Sequence, residues 1–180
     1  MRATGIVRRI DDLGRVVIPK ELRRTMRIRE GDPLEIFTEK DGELIFKKYS
    51  PVGELGEFAS HVCDSLRKTT DSIAAVCDRD SIIAVSGAAK KDIFEKPVSN
   101  ALNDIMENRA HFKHESGAGE KAVCDGDDKF CISAASPIIS EGDVMGCVLF
   151  VKPRNSGEAS EVEFKLAQAT AGFLGRQMES

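Results

Sequence analysis

The sequence divides near residue 50 into two segments of opposite net charge. Residues 1–50 contain 12 Lys and Arg against 9 Asp and Glu, a net charge of +3, and residues 51–180 contain 14 against 21, a net charge of −7. The bias is strongest in residues 1–29, where nine cations, eight of them arginine, stand against three acids. Arginine presents a planar fork of donors that suits phosphate oxygens and the guanine edge, so this asymmetry favours a nucleic-acid surface over a solvated charged face. The sequence therefore predicts two domains, residues 1–50 and residues 51–180.

The first segment has the pattern of four short strands and one short helix. The strands are predicted at residues 4–10, 15–18, 34–37 and 44–47, and the helix at residues 20–27. Pro19 is expected at the first helical position, with Leu22 and Met26, four residues apart, on a buried face. Asp41-Gly42 supplies the positive φ that a tight hairpin needs between the last two strands.

A unit of this size needs a partner or a cross-link to be stable. The cysteines of the chain all follow residue 60 and form no CxxC pair: Cys63, Cys77, Cys124, Cys131 and Cys147. They are typical of reduced thiols in a cytosolic protein, with a redox or metal role as the alternative. Because the first segment has neither a disulfide nor a thiolate metal site, we expect two copies to interleave their hairpins. Such a dimer places both basic stretches on one surface and predicts two related half-sites on double-stranded DNA.

Three motifs occur in order within residues 4–37, namely GIVR, LGRVVIP and ELRRT, and the chain continues to LIFKKYSP. In this order and spacing they resemble the N-terminal DNA-binding domain of the AbrB family of transition-state regulators. The resemblance implies a swapped-hairpin β-barrel dimer whose arginines contact DNA. The residues carried over from the motifs are Arg8, Arg15, Arg23 and Arg24.

Other basic residues lie near these motifs but are not positions that the family pattern singles out. Arg9, Lys20 and Arg27 are therefore secondary candidates for DNA contact. For every cation the alternative is a surface ion pair with Asp11, Asp12 or Glu21, and for Arg2, Arg27 and Arg29 the two interpretations weigh equally.

The second segment has the pattern of an α+β domain with a helix at each end. A helix is predicted to start at Ser50-Pro51 and to run to residue 66, with apolar residues at helical spacing: Leu55, Phe58, Ala59, Val62, Cys63 and Leu66. Strands are predicted at residues 73–77, 81–86, 121–125, 130–139 and 144–152, with a helix at residues 97–109. Together they form a mixed sheet of five or six strands. A capping box at Ser160 and Glu163 opens the last helix. Its heptad-like stripe consists of Val162, Leu166, Ala169, Phe173 and Arg176.

The segment VCDRDSIIAVSG, followed by KKDIFEKPVSNAL, is similar to the start of a GAF domain. Together with the AbrB-like half and the C-terminal EFKLAQATAGFLGRQME, it makes the whole chain resemble the stage V sporulation protein T family. This resemblance implies a transcriptional regulator of sporulation, activating or repressing, in the forespore. It also implies that the terminal helices pair between subunits, so that two dimer contacts give a homotetramer. The alternative is that each helical stripe covers its own sheet.

A GAF domain usually binds a small molecule in a mostly apolar pocket between its sheet and the covering loops. The expected cover is residues 115–129, which contain Gly117, Gly119, Gly126, Asp125, Asp127 and Asp128. No nucleotide-binding or chromophore-attachment pattern occurs, so the ligand-binding residues and the effector stay unidentified. His111 and His114 suit a metal only with a further ligand. No cofactor and no metal are predicted.

Three other function classes are less well supported by the sequence. No GxSxG, HExxH or GxxxxGK[ST] motif occurs, and neither a cysteine nor Ser86 has a motif that places a base beside it, so no enzyme is predicted. An antitoxin-type autoregulator with a protein partner is the alternative function, since some antitoxins share the swapped-hairpin half. Against it, 130 structured residues follow that half. A membrane partner is not expected, because no long apolar run occurs, and we expect a cytoplasmic, nucleoid-associated protein.

Overall fold

The computed structural model describes residues 4–50, 52 and 56–179. The chain divides into a first unit that ends at Tyr49 and a second unit that begins at Ser50. Arg2, Pro51 and Leu55, which figure in the sequence predictions, lie outside the described residues.

The first unit contains helix α1, Lys20–Thr25, and an antiparallel hairpin of β1, Leu34–Thr38, and β2, Leu44–Lys48. The hairpin pairs Leu34 with Lys48 at one end and Thr38 with Leu44 at the other. Gly42 in its turn has a φ of +80°, a conformation that glycine adopts without steric cost. The predicted hairpin is therefore confirmed.

The two predicted strands at residues 4–10 and 15–18 are not paired in the single chain. They extend on either side of a turn in which the Asp11 N–H donates to the Arg15 carbonyl at 3.0 Å, and no ladder follows on either segment. Their apolar side chains are exposed, Val7 by 88% and Val17 by 72%. A strand needs a neighbouring strand to satisfy its backbone groups, and one copy of this chain does not supply it here.

Helix α1 ends two residues earlier than predicted. Pro19 occupies the cap rather than the first helical position, and its carbonyl accepts from the Arg23 N–H at 3.0 Å. Arg27 has a φ of +51°, and the Ile28 N–H donates to the Arg23 carbonyl at 2.7 Å, which is the pattern of a Schellman termination. The prediction that Met26 is buried is wrong, because it lies beyond the last turn and is 54% exposed in the single chain.

The second unit is a five-stranded sheet with helices on both faces. Its helices are α2 (Gly56–Thr70), α3 (Lys90–Ile93), α4 (Asn100–Glu107) and α5 (Glu161–Gln177), and its strands are β3 (Ile73–Asp78), β4 (Ile82–Ser86), β5 (Phe112–Lys113), β6 (Phe130–Ser140) and β7 (Asp143–Pro153). The strand order is β4-β3-β7-β6-β5. All four pairings are antiparallel, so the prediction of a mixed sheet is wrong. Short turns join β3 to β4 and β6 to β7, and such turns permit antiparallel neighbours only.

Three local predictions differ from the structure of the second unit. The predicted strand at residues 121–125 is reduced to the isolated bridges Val98–Cys124 and Ala122–Cys131. The predicted helix at residues 97–109 is confined to α4, which Ser99 caps by accepting from the Leu102 N–H at 3.1 Å. The two-residue strand β5 and the one-turn helix α3 were not predicted.

Two buried clusters lie on opposite faces of this sheet. On one face α2 and α5 cover even-numbered residues of β7, such as Val148 and Phe150. On the other face α4 and residues 123–124 cover odd-numbered residues, such as Cys147 and Leu149. Gly175 lets α5 approach the sheet, because a Cβ there would lie 2.1 Å from the Ile139 carbonyl oxygen.

Candidate nucleic-acid interface and regulatory surfaces

The cations predicted to contact DNA are all exposed. Arg8 and Arg9 lie on the extended segment before the turn, Arg15 lies directly after that turn, and Lys20, Arg23 and Arg24 lie on α1. Lys20 and Arg24 are four residues apart and share one helix face.

Arg15 is held by the turn that precedes it. Its Nε donates to Asp11 Oδ2 and its main-chain N–H donates to Asp11 Oδ1, each at 2.8 Å. These bonds, the main-chain one foremost, lower the pKa of Asp11 below its ordinary value. The ion pair considered as the alternative to DNA contact is thus present for Arg15. It is open to solvent, with 69% of the Arg15 side chain exposed, and such pairs contribute little free energy, so a phosphate can replace the carboxylate at small cost.

The other five cations have no ion-pair or hydrogen-bond partner for their side chains among the described residues. The end of α1 is fixed to the hairpin instead by Lys48, whose Nζ donates to the Arg27 carbonyl at 2.9 Å and lies 3.4 Å from Asp32 Oδ2. The helix therefore presents Arg23 and Arg24 to solvent from a backbone that is anchored at its last turn.

The two terminal helices of the second unit form an apolar groove on their outer surface. This helix groove, about 430 Å³, is lined by Phe58, His61, Val62, Ala169, Thr170 and Phe173 among others. The rings of Phe58 and Phe173 lie 6.2 Å apart, and Phe173 is 49% exposed.

Most of the heptad-like stripe of α5 faces away from its own sheet. The helix buries a different set against the sheet: Ala167, Ala171, Leu174 and Gly175. Val162, Ala169, Phe173 and Arg176 of the stripe are exposed, and Leu166 is half-buried. Four of the five stripe residues thus face away from the sheet, and Leu166 is the one that packs against the core of its own domain. In α2, Ala59, Cys63 and Leu66 are buried against the core and Phe58 is exposed in the helix groove. Val62 is half-buried, and it both packs against the core and lines the groove, as does Leu66.

The space between the sheet and residues 123–124 of the expected cover is occupied by side chains. Val123 and Cys124 of the cover pack with Leu102 and Ile105 of α4 against the sheet. The five cysteines are buried and free. Burial raises the pKa of Cys63 to about 12 and those of Cys124 and Cys131 to about 11, so these thiols are not the reactive thiolates that a redox sensor needs.

The described residues hold no group of three or more His, Cys, Asp or Glu that could bind a metal. His111 Nδ1 instead lies 2.7 Å from Ser136 Oγ. The Ser86 hydroxyl donates to Asp64 Oδ1 at 2.5 Å. Within the described ranges, no helix is long and apolar enough to span a bilayer.

A polar pocket of about 490 Å³ lies where β7 ends. One wall includes Ser116, Gly117, Ala118 and Glu120 of the cover predicted at residues 115–129, whereas the wall that follows β7 was not predicted. The two walls are residues 114–120 and 152–158, including His114, Glu120, Lys152 and Arg154. The signal available was Lys152, a charge at the end of the apolar strand 147–151. Its partner Glu120 is 32 residues away, which no local pattern reveals.

Comparison with known proteins covers both units. Residues 54–179 match the family described as stage V sporulation protein T C-terminal, transcription factor, and residues 7–54 match the family described as antidote-toxin recognition MazE, bacterial antitoxin. Stage V sporulation protein T of Bacillus subtilis (strain 168) is 50% identical over 180 residues, 99% of each chain. Transition state regulatory protein AbrB of the same organism is 61% identical over 51 residues, 28% of this chain and 52% of that protein.

The second unit has the fold of a GAF domain. The crystal structure of the GAF-B domain of DevS from Mycobacterium smegmatis covers 72% of this chain and 93% of that domain, with a TM-score of 0.51 and 15% identity. The match over residues 54–179 and the 50% identity over nearly the whole of both chains show that this chain belongs to the stage V sporulation protein T family of transcription factors.

Proposed function

We propose that this chain is a sequence-specific DNA-binding regulator of transcription in sporulation, and that the cations of the first unit make the DNA contacts. The observation that carries the proposal is the exposure of Arg8, Arg23 and Arg24 without side-chain partners among the described residues, in a transcription factor family. Arg15 joins them through an exchangeable ion pair, and Arg9 and Lys20 supply further phosphate contacts. Activation or repression then depends on where the site lies in a promoter.

The first unit acts as an interleaved homodimer. The extended segments at residues 4–10 and 15–18 have unpaired backbone edges and exposed valines, and a second copy satisfies both. The dimer also brings two sets of cations onto one surface, which a single chain does not do.

A second contact between copies lies at the helix groove. The stripe of α5 is exposed and adjoins Phe58 and Val62 of α2, so a matching pair of helices from another subunit buries both. One contact in each unit joins dimers into a homotetramer.

The second unit is the regulatory domain and responds to a small-molecule effector. The transcription factor family matched over residues 54–179 supports a regulatory role for this unit, and the proposal requires no cofactor. The protein acts in the cytoplasm of the forespore, on the nucleoid. The antitoxin function has support only from the match over residues 7–54, whereas the 50% identity to a sporulation protein extends over the whole chain.

The decisive experiment measures the salt dependence of DNA binding. A duplex is first enriched from a random-sequence pool on the wild-type protein, and its affinity is then measured by fluorescence anisotropy at several salt concentrations. Arg8→Ala, Arg23→Ala and Arg24→Ala each weaken binding and reduce the slope of log K against log salt by about one. Arg67→Ala, which removes an exposed arginine from α2 in the acidic second unit, leaves both unchanged. If the three variants keep the wild-type slope of log K against log salt, these arginines do not contact DNA.

A further inference from the structure

The polar pocket lies at the connection between β7 and α5. Residues 152–158 lead from the end of β7 to Ser160, which caps α5 by accepting from the Glu163 N–H at 3.0 Å. The facing wall is bound to the same connection, since the Ala159 N–H donates to the His114 carbonyl at 3.0 Å. The pocket is therefore distinct from the space between the sheet and the 123–124 cover, which core side chains fill.

Two cations share one carboxylate in this pocket. Lys152 is only 8% exposed, its Nζ donates to the Gly157 carbonyl, and it lies 3.7 Å from Glu120 Oε1. Arg154 Nη1 lies 3.7 Å from Glu120 Oε2. Glu158 is the other acid in the lining, and it is exposed at the rim. The inner wall thus carries an excess of positive charge that Glu120 alone does not balance.

The carboxylate of Glu120 is also committed elsewhere. It accepts from the Asn155 N–H at 2.8 Å, and that bond is the chief cause of its lowered pKa. The distances of 3.7 Å from Lys152 Nζ and Arg154 Nη1 to the Glu120 carboxylate are too long for hydrogen bonds. The two cations are therefore attracted to Glu120 but do not donate hydrogen bonds to it.

Unpartnered nitrogens complete the pocket. His114 is 6% exposed, and its Nδ1 has no hydrogen-bond partner among the described residues. Arg154 Nε is buried and equally without a partner, although Nη2 reaches the Asp127 carbonyl at 3.5 Å. Leaving such a donor unsatisfied in the interior is unfavourable, and a bound acceptor removes that penalty.

We propose that this pocket binds the oxyanion group, carboxylate or phosphate, of a small metabolite. The oxyanion accepts from Lys152, Arg154 and His114 and supplies the negative charge that the inner wall lacks. This assignment gives the proposed effector of the regulatory domain a chemical class, and to that extent it rests on the proposed function.

Binding at this position acts on the start of α5. An oxyanion competes with the Gly157 carbonyl for the Lys152 ammonium, and Gly157 belongs to the connection that leads into the capping box. Because α5 carries the exposed stripe, a change at its first turn is transmitted to the surface proposed to join dimers. The ligand needs only to favour one arrangement of this connection over another.

The test is a titration of the full-length protein with inorganic phosphate and, separately, with acetate, followed by ¹H–¹⁵N NMR at constant ionic strength. Saturable shifts are expected with at least one of the two anions, largest at residues 114–120 and 152–160 and extending into the first turn of α5. Comparing the two arms tells phosphate from carboxylate recognition. Arg154→Gln weakens binding and Glu120→Gln tightens it, each by about tenfold, because one removes a positive and the other a negative charge beside the anion. Lys152→Met abolishes binding. Lys129→Met, at an exposed lysine paired with Asp92 outside the pocket, changes nothing.

Arg154→Gln and Glu120→Gln are expected to change the affinity in opposite directions, so a general loss of folding does not reproduce the expected result. No saturable shift with either anion in the wild-type protein, or equal effects of Arg154→Gln, Glu120→Gln and Lys129→Met, would overturn the site. DNA affinity measured on the same variants without added anion separates the two proposals, since a failed pocket leaves DNA binding intact.

Discussion

Replacing Phe173 by Glu tests whether the helix groove joins subunits. A phenylalanine side chain offers about 200 Å² of surface, and 49% of Phe173 is exposed, so a partner covers about 100 Å² more. At about 25 cal/mol per Å² this contributes about 2.5 kcal/mol per subunit, and a symmetric contact contains the residue twice. The resulting loss of about 5 kcal/mol weakens association by more than three orders of magnitude.

Sedimentation velocity at micromolar protein distinguishes the outcomes. The wild-type protein is expected to sediment as a tetramer and Phe173→Glu as a dimer held by the first unit, with far-UV circular dichroism unchanged. Gly172→Glu is the matched control, because it adds the same charge on a neighbouring face of α5, where a Cβ meets nothing within 4 Å. A Phe173→Glu protein that still sediments as a tetramer, or an equal loss in the control, would refute the assignment of this face.

Three further predictions concern the second unit. Gly175→Ala forces a Cβ to 2.1 Å from the Ile139 carbonyl oxygen, so the free energy of unfolding in urea falls by about 1–3 kcal/mol. Glu163→Gln removes a carboxylate that accepts from two serine hydroxyls at 2.6 and 2.8 Å and from the cap N–H at 3.0 Å, and it lowers the same quantity by about 1–3 kcal/mol. Lys113 Nζ donates to Glu161 Oε2 at 2.7 Å, and this bond lowers the pKa of Glu161 in the folded protein below its ordinary value of 4.5. The ion pair therefore stabilises the fold above pH 4.5, and this stabilisation is lost as the pH falls through the pKa of Glu161 in the folded protein. Urea midpoints of Glu161→Gln should accordingly fall less steeply on acidification than those of the wild-type protein.

The parts of the fold that the sequence predicted well are those with strong local signals. The capping box of Ser160 and Glu163 fixes the start of α5 within a residue, and the long, largely apolar runs locate β6 and β7. The failures are short segments whose state depends on distant partners. β5 is two residues long and exists because Phe112 and Lys113 meet Ala135 and Ala134, which only the assembled sheet determines.

In the first unit, two segments predicted as strands are extended but unpaired. Residues 4–10 and 15–18 have strand composition, yet in one chain they remain unpaired. The propensity is local, whereas the ladder needs a neighbour that this single chain lacks.

The candidate sites differ in the same way. Exposed cations on a turn and a helix were accessible to sequence analysis, because arginine enrichment and family motifs are local features. Only one wall of the polar pocket, within the cover predicted at residues 115–129, was accessible in this way. The opposite wall was not, because Lys152 has the pattern of the end of an apolar strand until Glu120 and His114 are brought against it. The buried, unsatisfied nitrogens of the pocket exist only in three dimensions.

Charge and assembly together predict that DNA binding depends on the interleaved edges and not only on the cations. Residues 1–29 carry a net charge of +6, and the dimer doubles it, whereas residues 51–180 carry −7 and repel the duplex. Val7→Asp places a charge on an edge that is 88% exposed in the single chain and that the dimer is proposed to bury, while removing no arginine. It is expected to reduce DNA affinity at physiological salt by at least as much as losing one arginine, and to reduce the salt slope by more than one, because one set of cations is lost as a whole. Glu35→Gln, at an exposed position of β1, serves as the control for surface charge. If Val7→Asp binds the selected duplex with the wild-type slope, the cations act without interleaving, and the argument that the unpaired strands require a second copy is wrong.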